Sequence, residues 1–148
     1  MQLQKISQLI LRVVLAATFL SAVADRFGFW GAPGEPGVAW GNWENFRVYS
    51  NSLNSFVPES AGDVLAIVAT VLEVLFALLL LAGFKTRFTA LCSAVLLGLF
   101  AFSMSMSLGI KAPFDYSVWT GAAAALLLAA QPYYAWSLDA GLQGRRNT

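Results

Sequence analysis

Two residues in this chain stand where chemistry would be expected. Glu73 is the only charge in the apolar run Val64-Leu65-Ala66-Ile67-Val68-Ala69-Thr70-Val71-Leu72-Glu73-Val74-Leu75-Phe76. At about 1.5 Å of rise per residue it would lie roughly 15 Å from either end of a span. A carboxylate at that depth of a bilayer costs at least about 2.5–3.5 kcal/mol, so it must face other helices and be paired or protonated. Arg12 interrupts the first apolar run, about 9 Å along a helix from Ile6, and its long stem covers several ångströms more. Antiparallel first and second helices would bring the two to compatible depths, which predicts an Arg12–Glu73 pair. Such a pair either fixes helix register and does nothing else, or makes Glu73 a proton carrier beside a small-molecule pocket. In that second case Arg12 tunes its acidity or binds an anionic or carbonyl-bearing ligand.

Asp25 and Arg26 close the first apolar run. They read as a terminal charge cluster snorkelling to the interface, or as the mouth of a pocket roofed by the aromatic loop that follows. That loop offers Trp30, Trp40, Trp43, Phe46 and Tyr49 as lid residues. Other chemistry is removed by what the chain lacks. It has no histidine, so imidazole catalysis and most zinc or haem ligation are excluded together. Its single cysteine, Cys92, forms no internal disulfide or C-x-x-C pair. Met104 and Met106 would point about 200° apart on a helix, so they cannot share a soft metal, and no metal is expected. With a net charge of +1 and no basic run longer than Arg145-Arg146, nucleic-acid binding has no electrostatic footprint.

The elements that must position these residues follow from composition. Of the 148 residues 58% are apolar and 11% charged, with a mean hydropathy of +0.66. Soluble domains carry about 25% charged residues, so the solvent is a bilayer. Four apolar stretches, at about 7–27, 64–84, 88–110 and 116–134, each approach the roughly 20 residues a membrane helix needs. None alternates with period two, so a single all-α domain is predicted, an antiparallel four-helix membrane bundle. Lys85-Thr86-Arg87 after Gly83 joins the second and third spans so tightly that they must be antiparallel neighbours.

The first connection is different. It carries five glycines from Gly28 to Gly41, then Phe46, Tyr49, Leu53 and Phe56 at helical steps. A short amphipathic interfacial helix over about 42–57 is predicted, capped by Asn42, stopped by Pro58, and lying at headgroup level. An even number of spans places Lys5, Lys85, Arg87, Arg145 and Arg146 on one side. Arg26, Arg47 and Lys111 lie opposite, outnumbered there by carboxylates. The positive-inside bias predicts cytoplasmic termini in a bacterial inner (plasma) membrane. Ala22-Val23-Ala24 before Asp25 also resembles a leader cleavage site, but Arg12 within the apolar region favours an intact span. Small residues at Ala94, Gly98, Ala101 and Ser105, and at Gly121, Ala125 and Ala129, form stripes for close helix packing. A homodimer through such faces is one expectation.

Several segments together resemble the DoxX family of small four-helix membrane proteins. They are Arg12-Val13-Val14-Leu15, Ala24-Asp25-Arg26-Phe27-Gly28, Leu72-Glu73, Gly83-Phe84-Lys85-Thr86-Arg87 and Trp136-Ser137-Leu138-Asp139. The family takes its name from a small membrane subunit of a thiosulfate:quinone oxidoreductase. The resemblance implies a membrane accessory protein, and two functions are expected from it and the residues. In the first, a quinone-like amphipathic molecule sits in the bundle with Arg12 and Glu73 at its polar head. A redox partner subunit then supplies electrons, since this chain has no ligand set for them. In the second, the chain is a non-catalytic module that binds lipid or assists assembly of another membrane protein, and the Arg12–Glu73 pair is a staple.

Overall fold

The structure, a computed structural model, describes residues 2–146, with side chains described through residue 142. Arg145 and Arg146, counted above toward the basic end, have side chains outside the described residues. All regular structure among the described residues is helical: α1 (Gln2–Arg26), α2 (Trp43–Leu53), α3 (Glu59–Ala82), α4 (Thr86–Leu108), α5 (Ala112–Asp115), α6 (Val118–Ala129) and α7 (Leu138–Arg146). Helices α1, α3 and α4, of 25, 24 and 23 residues, are each about 34–37 Å long and can cross a core of about 30 Å. They are apolar enough to do so.

The fourth stretch is shorter than the helix expected over about 116–134, with α6 running only from Val118 to Ala129. Ser117 adopts a left-handed conformation, φ 56°, and splits α5 from α6. The chain leaves α6 just before Gln131-Pro132, where a proline disfavours helix in the residue before it. At 12 residues α6 reaches only about 18 Å. It is nonetheless the fourth member of the bundle, packing along α4 and also against α1. Helices α1 and α3 pack together, as do α3 and α4, which closes a ring of antiparallel neighbours.

The interior mixes small and large residues. Ala16, Ala66, Ala77, Ala90, Ala101 and Ala125 are fully or almost fully buried beside Phe19, Leu80 and Leu128. Larger side chains such as Val68, Val71, Leu75, Val95, Leu99 and Phe102 face outward. In lipid, burial of apolar surface gives no gain, so association relies on close approach, which small residues permit. Gly121, Ala125 and Ala129 serve this purpose inside the protomer, where Gly121 lies against Leu97. Met104 is buried and Met106 exposed, on opposite sides as their spacing requires.

Between α1 and α3, Asn42 caps α2 as expected, accepting from Asn45 N at 2.8 Å. Pro58 does not stop this helix. The chain leaves it at Asn54, and Pro58 instead precedes α3, which begins at Glu59. Helix α2 does not lie free over the bundle end. It packs on α3 and α4, and Ser107 Oγ donates to the Leu53 carbonyl at 2.7 Å.

The α3–α4 turn is a Schellman motif, with Phe84 N bonded to Leu79 O at 3.1 Å and Gly83 N to Leu80 O at 3.2 Å. Gly83 has φ 65°, and a Cβ there would collide with the Arg12 guanidinium and Ser137 Cβ. Gly83→Ala should therefore destabilise the protein by about 1–3 kcal/mol, read as a lower unfolding midpoint in detergent. Gly98→Ala, with open space at its Cβ, should be neutral or slightly stabilising. Equal midpoints for the two variants would contradict this account of the turn.

Candidate functional site

Glu73 is buried, and its partner is Arg26, not Arg12. Arg26 Nη2 donates to Glu73 Oε1 at 3.0 Å, and Nη1 donates to Oε2, making a bidentate pair with both side chains under 5% exposed. Nη1 also donates to Thr70 Oγ1 at 2.7 Å, one turn up α3. The reason lies in side-chain direction. Every Cα–Cβ bond of a helix tilts toward its N-terminus. Helix α1 begins and α3 ends at the same end of the bundle, because Arg12 reaches the Leu80 and Leu81 carbonyls. Arg26 therefore leans back toward mid-depth, and Glu73 leans up to meet it. Arg12 leans away from Glu73, toward the end where α1 begins.

Asp25 and Arg26 are likewise not snorkelling interfacial charges, since both are buried. The Asp25 carboxylate accepts three backbone N–H bonds, from Ala39 at 2.8 Å, Trp40 at 3.2 Å and Gly41 at 2.9 Å. One side chain thus pins the glycine-rich loop to the end of α1. Gly41 is required here: its φ is 69°, and a Cβ would lie 2.5 Å from Pro33 N.

Pinned this way, the loop delivers an aromatic roof. The Arg26 guanidinium carbon lies 4.0 Å from the Phe46 ring centroid and 5.5 Å from that of Trp40. Trp40 meets Phe46 edge-on at 5.1 Å and tilts against Tyr49 at 5.7 Å. Trp43 packs on Phe46 at 5.4 Å and stacks on Phe27 at 5.8 Å. Four of the five expected lid residues gather over the ion pair. Trp30 does not join them, being exposed with its indole N–H donating to the Ser21 carbonyl at 3.1 Å. Burial pushes the Tyr49 phenol above its ordinary value, with Tyr116 adding to the effect. Beneath the roof, Arg26 Nε is buried and has no acceptor.

Around the roof the surface charges are paired locally, with carboxylates in excess. Arg47 binds Glu44, Glu59 and Asp63 at 2.8, 3.0 and 3.1 Å. Its hydrogen bond holds the Glu44 carboxyl below the usual range, and the same contacts raise Arg47. Lys111 pairs with Asp115.

At the end where α1 begins, Arg12 is wholly buried and donates only to carbonyls: Leu80 at 2.9 Å, Leu81 and Ala135 at 3.1 Å, and Trp136 at 3.3 Å. It satisfies the exposed carbonyl end of α3 and ties it to the segment after α6. Asp139 completes the knot, accepting from Lys85 N and Thr86 N at 2.8 Å each and so capping α4. The reading from sequence gave no role to Asp139 or Thr70. Ser137-Leu138-Asp139 ahead of a helical run was the signal available for the first. Thr70, one turn from Glu73, was the signal for the second.

A model of the DoxX family matches residues 7–106, a stretch that contains Arg12, Asp25, Arg26, the roof and Glu73. No curated protein and no solved structure matches the chain.

The ion pair predicts a specific pattern of coupling. Arg26→Gln alone leaves a buried carboxylate unpaired and should cost about 3–5 kcal/mol. Adding Glu73→Gln should restore much of that loss. In the parallel cycle Arg12→Gln and Glu73→Gln should be additive within about 0.5 kcal/mol. Unfolding in detergent checks both cycles, and a larger coupling for Arg12 than for Arg26 would refute the assignment.

Proposed function

We propose, for a chain that belongs to the DoxX family and is an integral membrane protein, a non-catalytic role: a bundle that binds lipid or supports assembly of a partner membrane protein. Glu73 carries this reading. Both its oxygens are held by Arg26, and Trp40 and Phe46 cover the pair. A carboxylate so engaged is matched in charge and shielded from exchange with water, which suits a staple better than a proton carrier. The pair then fixes the relation of α1 to α3 and holds the aromatic surface of α2 in place.

A second reading keeps a quinone-like molecule beneath the roof, with electrons supplied by a redox partner subunit. The unpartnered Nε of Arg26 favours it. A carbonyl oxygen brought under Trp40 and Phe46 would be its acceptor, with the aromatic rings against the ligand plane.

For orientation we propose cytoplasmic termini in the inner (plasma) membrane. The described cations at the loop end are all paired with carboxylates, whereas Lys85 and Arg87 at the other end form no ion pair among the described residues. Such unneutralised charge belongs on the cytoplasmic side.

Mass spectrometry of molecules retained when the protein is extracted directly into native-lipid nanodiscs separates the two functions. Lipid alone, the same for wild type and Glu73→Gln, is the expected result. A stoichiometric quinone-like molecule lost in Glu73→Gln would overturn the staple and establish the second reading. For orientation, on a Cys92→Ser background, Ala32→Cys should react with an impermeant maleimide in intact cells and Ala140→Cys should not. The reverse pattern would invert the topology.

A further inference from the structure

The inner end of the bundle carries a groove that neither the ion pair nor the roof uses. It lies between the start of α4 and the segment linking α6 to α7, with a volume of about 540 Å³, within the roughly 300–1,000 Å³ of small-molecule sites. We propose that it binds one anionic phospholipid, with the phosphate among Lys85, Arg87, Thr86 and Tyr133 and an acyl chain running along Phe88 and Leu91. The proposal deepens the lipid-binding reading above and rests on it, but its residues lie at the opposite end from the roof.

Charge is the first ground. Lys85 and Arg87 line the groove, are exposed, and form no ion pair among the described residues. Arg87 donates to the Gln131 carbonyl at 3.1 Å, which holds its guanidinium over the groove while leaving its charge unmatched. Asp139 is the one carboxylate in the lining, and both its oxygens accept backbone N–H groups of Lys85 and Thr86. Its charge is spent on the start of α4, and Arg12 stands behind it. The balance at the groove is cationic.

Unmet hydrogen-bonding capacity is the second ground. Thr86 is fully buried, lines the groove, and its hydroxyl has no partner. The buried hydroxyl of Tyr133, also in the lining, has none either. Buried polar groups are ordinarily satisfied, and phosphate oxygens would accept from both. Bulk anions would supply that chemistry too, but the groove does not end at the charges. Phe88 and Leu91 form its other wall, are exposed, and continue as Val95 and Leu99 along the outer face of α4 at steps of three and four. An anion joined to an apolar tail fills both parts. Basic pockets beside membrane helices on the cytoplasmic side bind such headgroups, with about 1 kcal/mol from each Lys or Arg.

The test uses the full-length protein in nanodiscs of mixed phosphatidylcholine and phosphatidylglycerol, with native mass spectrometry counting lipids kept during stepwise delipidation. Wild type should keep one phosphatidylglycerol per protomer in preference to phosphatidylcholine. Lys85→Gln with Arg87→Gln should weaken that retention on the order of tenfold or more, and Thr86→Val should weaken it to a smaller degree. Arg87→Lys should keep it, as should Lys111→Gln at the opposite end. Glu73→Gln should also keep it, so loss of a ligand from the roofed site would be seen separately. Equal retention of the two lipids by wild type, or undiminished phosphatidylglycerol in the double variant, would overturn the proposal. So would full displacement by millimolar inorganic phosphate, which would make this a site for the free anion.

Discussion

A carboxylate at mid-depth in hydrocarbon sets the terms for much of this molecule. Moving an ion out of water costs several kcal/mol even after relaxation, and only a well-placed partner of opposite charge with further hydrogen bonds offsets it. Glu73 meets that requirement through Arg26, and the consequences spread outward. Helix α1 has to run on to residue 26, antiparallel to α3, so that the guanidinium can lean inward. The end of α1 then needs a cover to keep water from the pair, and the Gly28–Gly41 loop with α2 supplies it. Asp25, next in sequence to Arg26, anchors that cover by three backbone bonds.

The two ends of the bundle solve the same problem in different ways. At the end covered by the glycine-rich loop charges meet charges, in the buried Arg26–Glu73 pair and in the exposed cluster around Arg47. At the opposite end charges meet backbone: Arg12 serves the carbonyls of α3 and of residues 135 and 136, and Asp139 serves the amides that open α4. Backbone partners carry only partial charge. The end where α1 begins therefore keeps uncompensated positive charge, while at the loop end carboxylates outnumber cations. The bundle between them is held by packing of buried alanines against Phe19, Leu80 and Leu128, whose contribution depends on close approach of helices and not on exclusion of water.

Much of this was legible from residue types alone. Bundle architecture, the tight turn at Gly83, the Asn42 cap and the aromatic gathering over the end of α1 all follow from hydropathy, turn chemistry and helical spacing. The depth of Glu73 and its need for an arginine were also legible. Which arginine was not, because depth counted along a helix axis ignores the tilt of each side chain, and that tilt favours Arg26 by opposing Arg12. The early end of α6 at Ala129 escaped for another reason. Tyr133 and Tyr134 beyond Pro132 are apolar enough to pass for the last turn of a span. Trp30 shares its composition with the roof residues but stands before the loop turns back, so type without topology misplaced it.

The knot around Arg12 and Asp139 has a consequence for the order in which the protein is made. Chains emerge N-terminus first, and α1 enters the membrane carrying two arginines with no partners yet synthesised. Arg26 gains its carboxylate 47 residues later. Arg12 gains its first carbonyls 68 residues later and its last 124 residues later, from Trp136. Until then α1 is held only by its ends, where long side chains can stay hydrated at the surface. The segment after α6, made last among these partners, locks a helix made well before it.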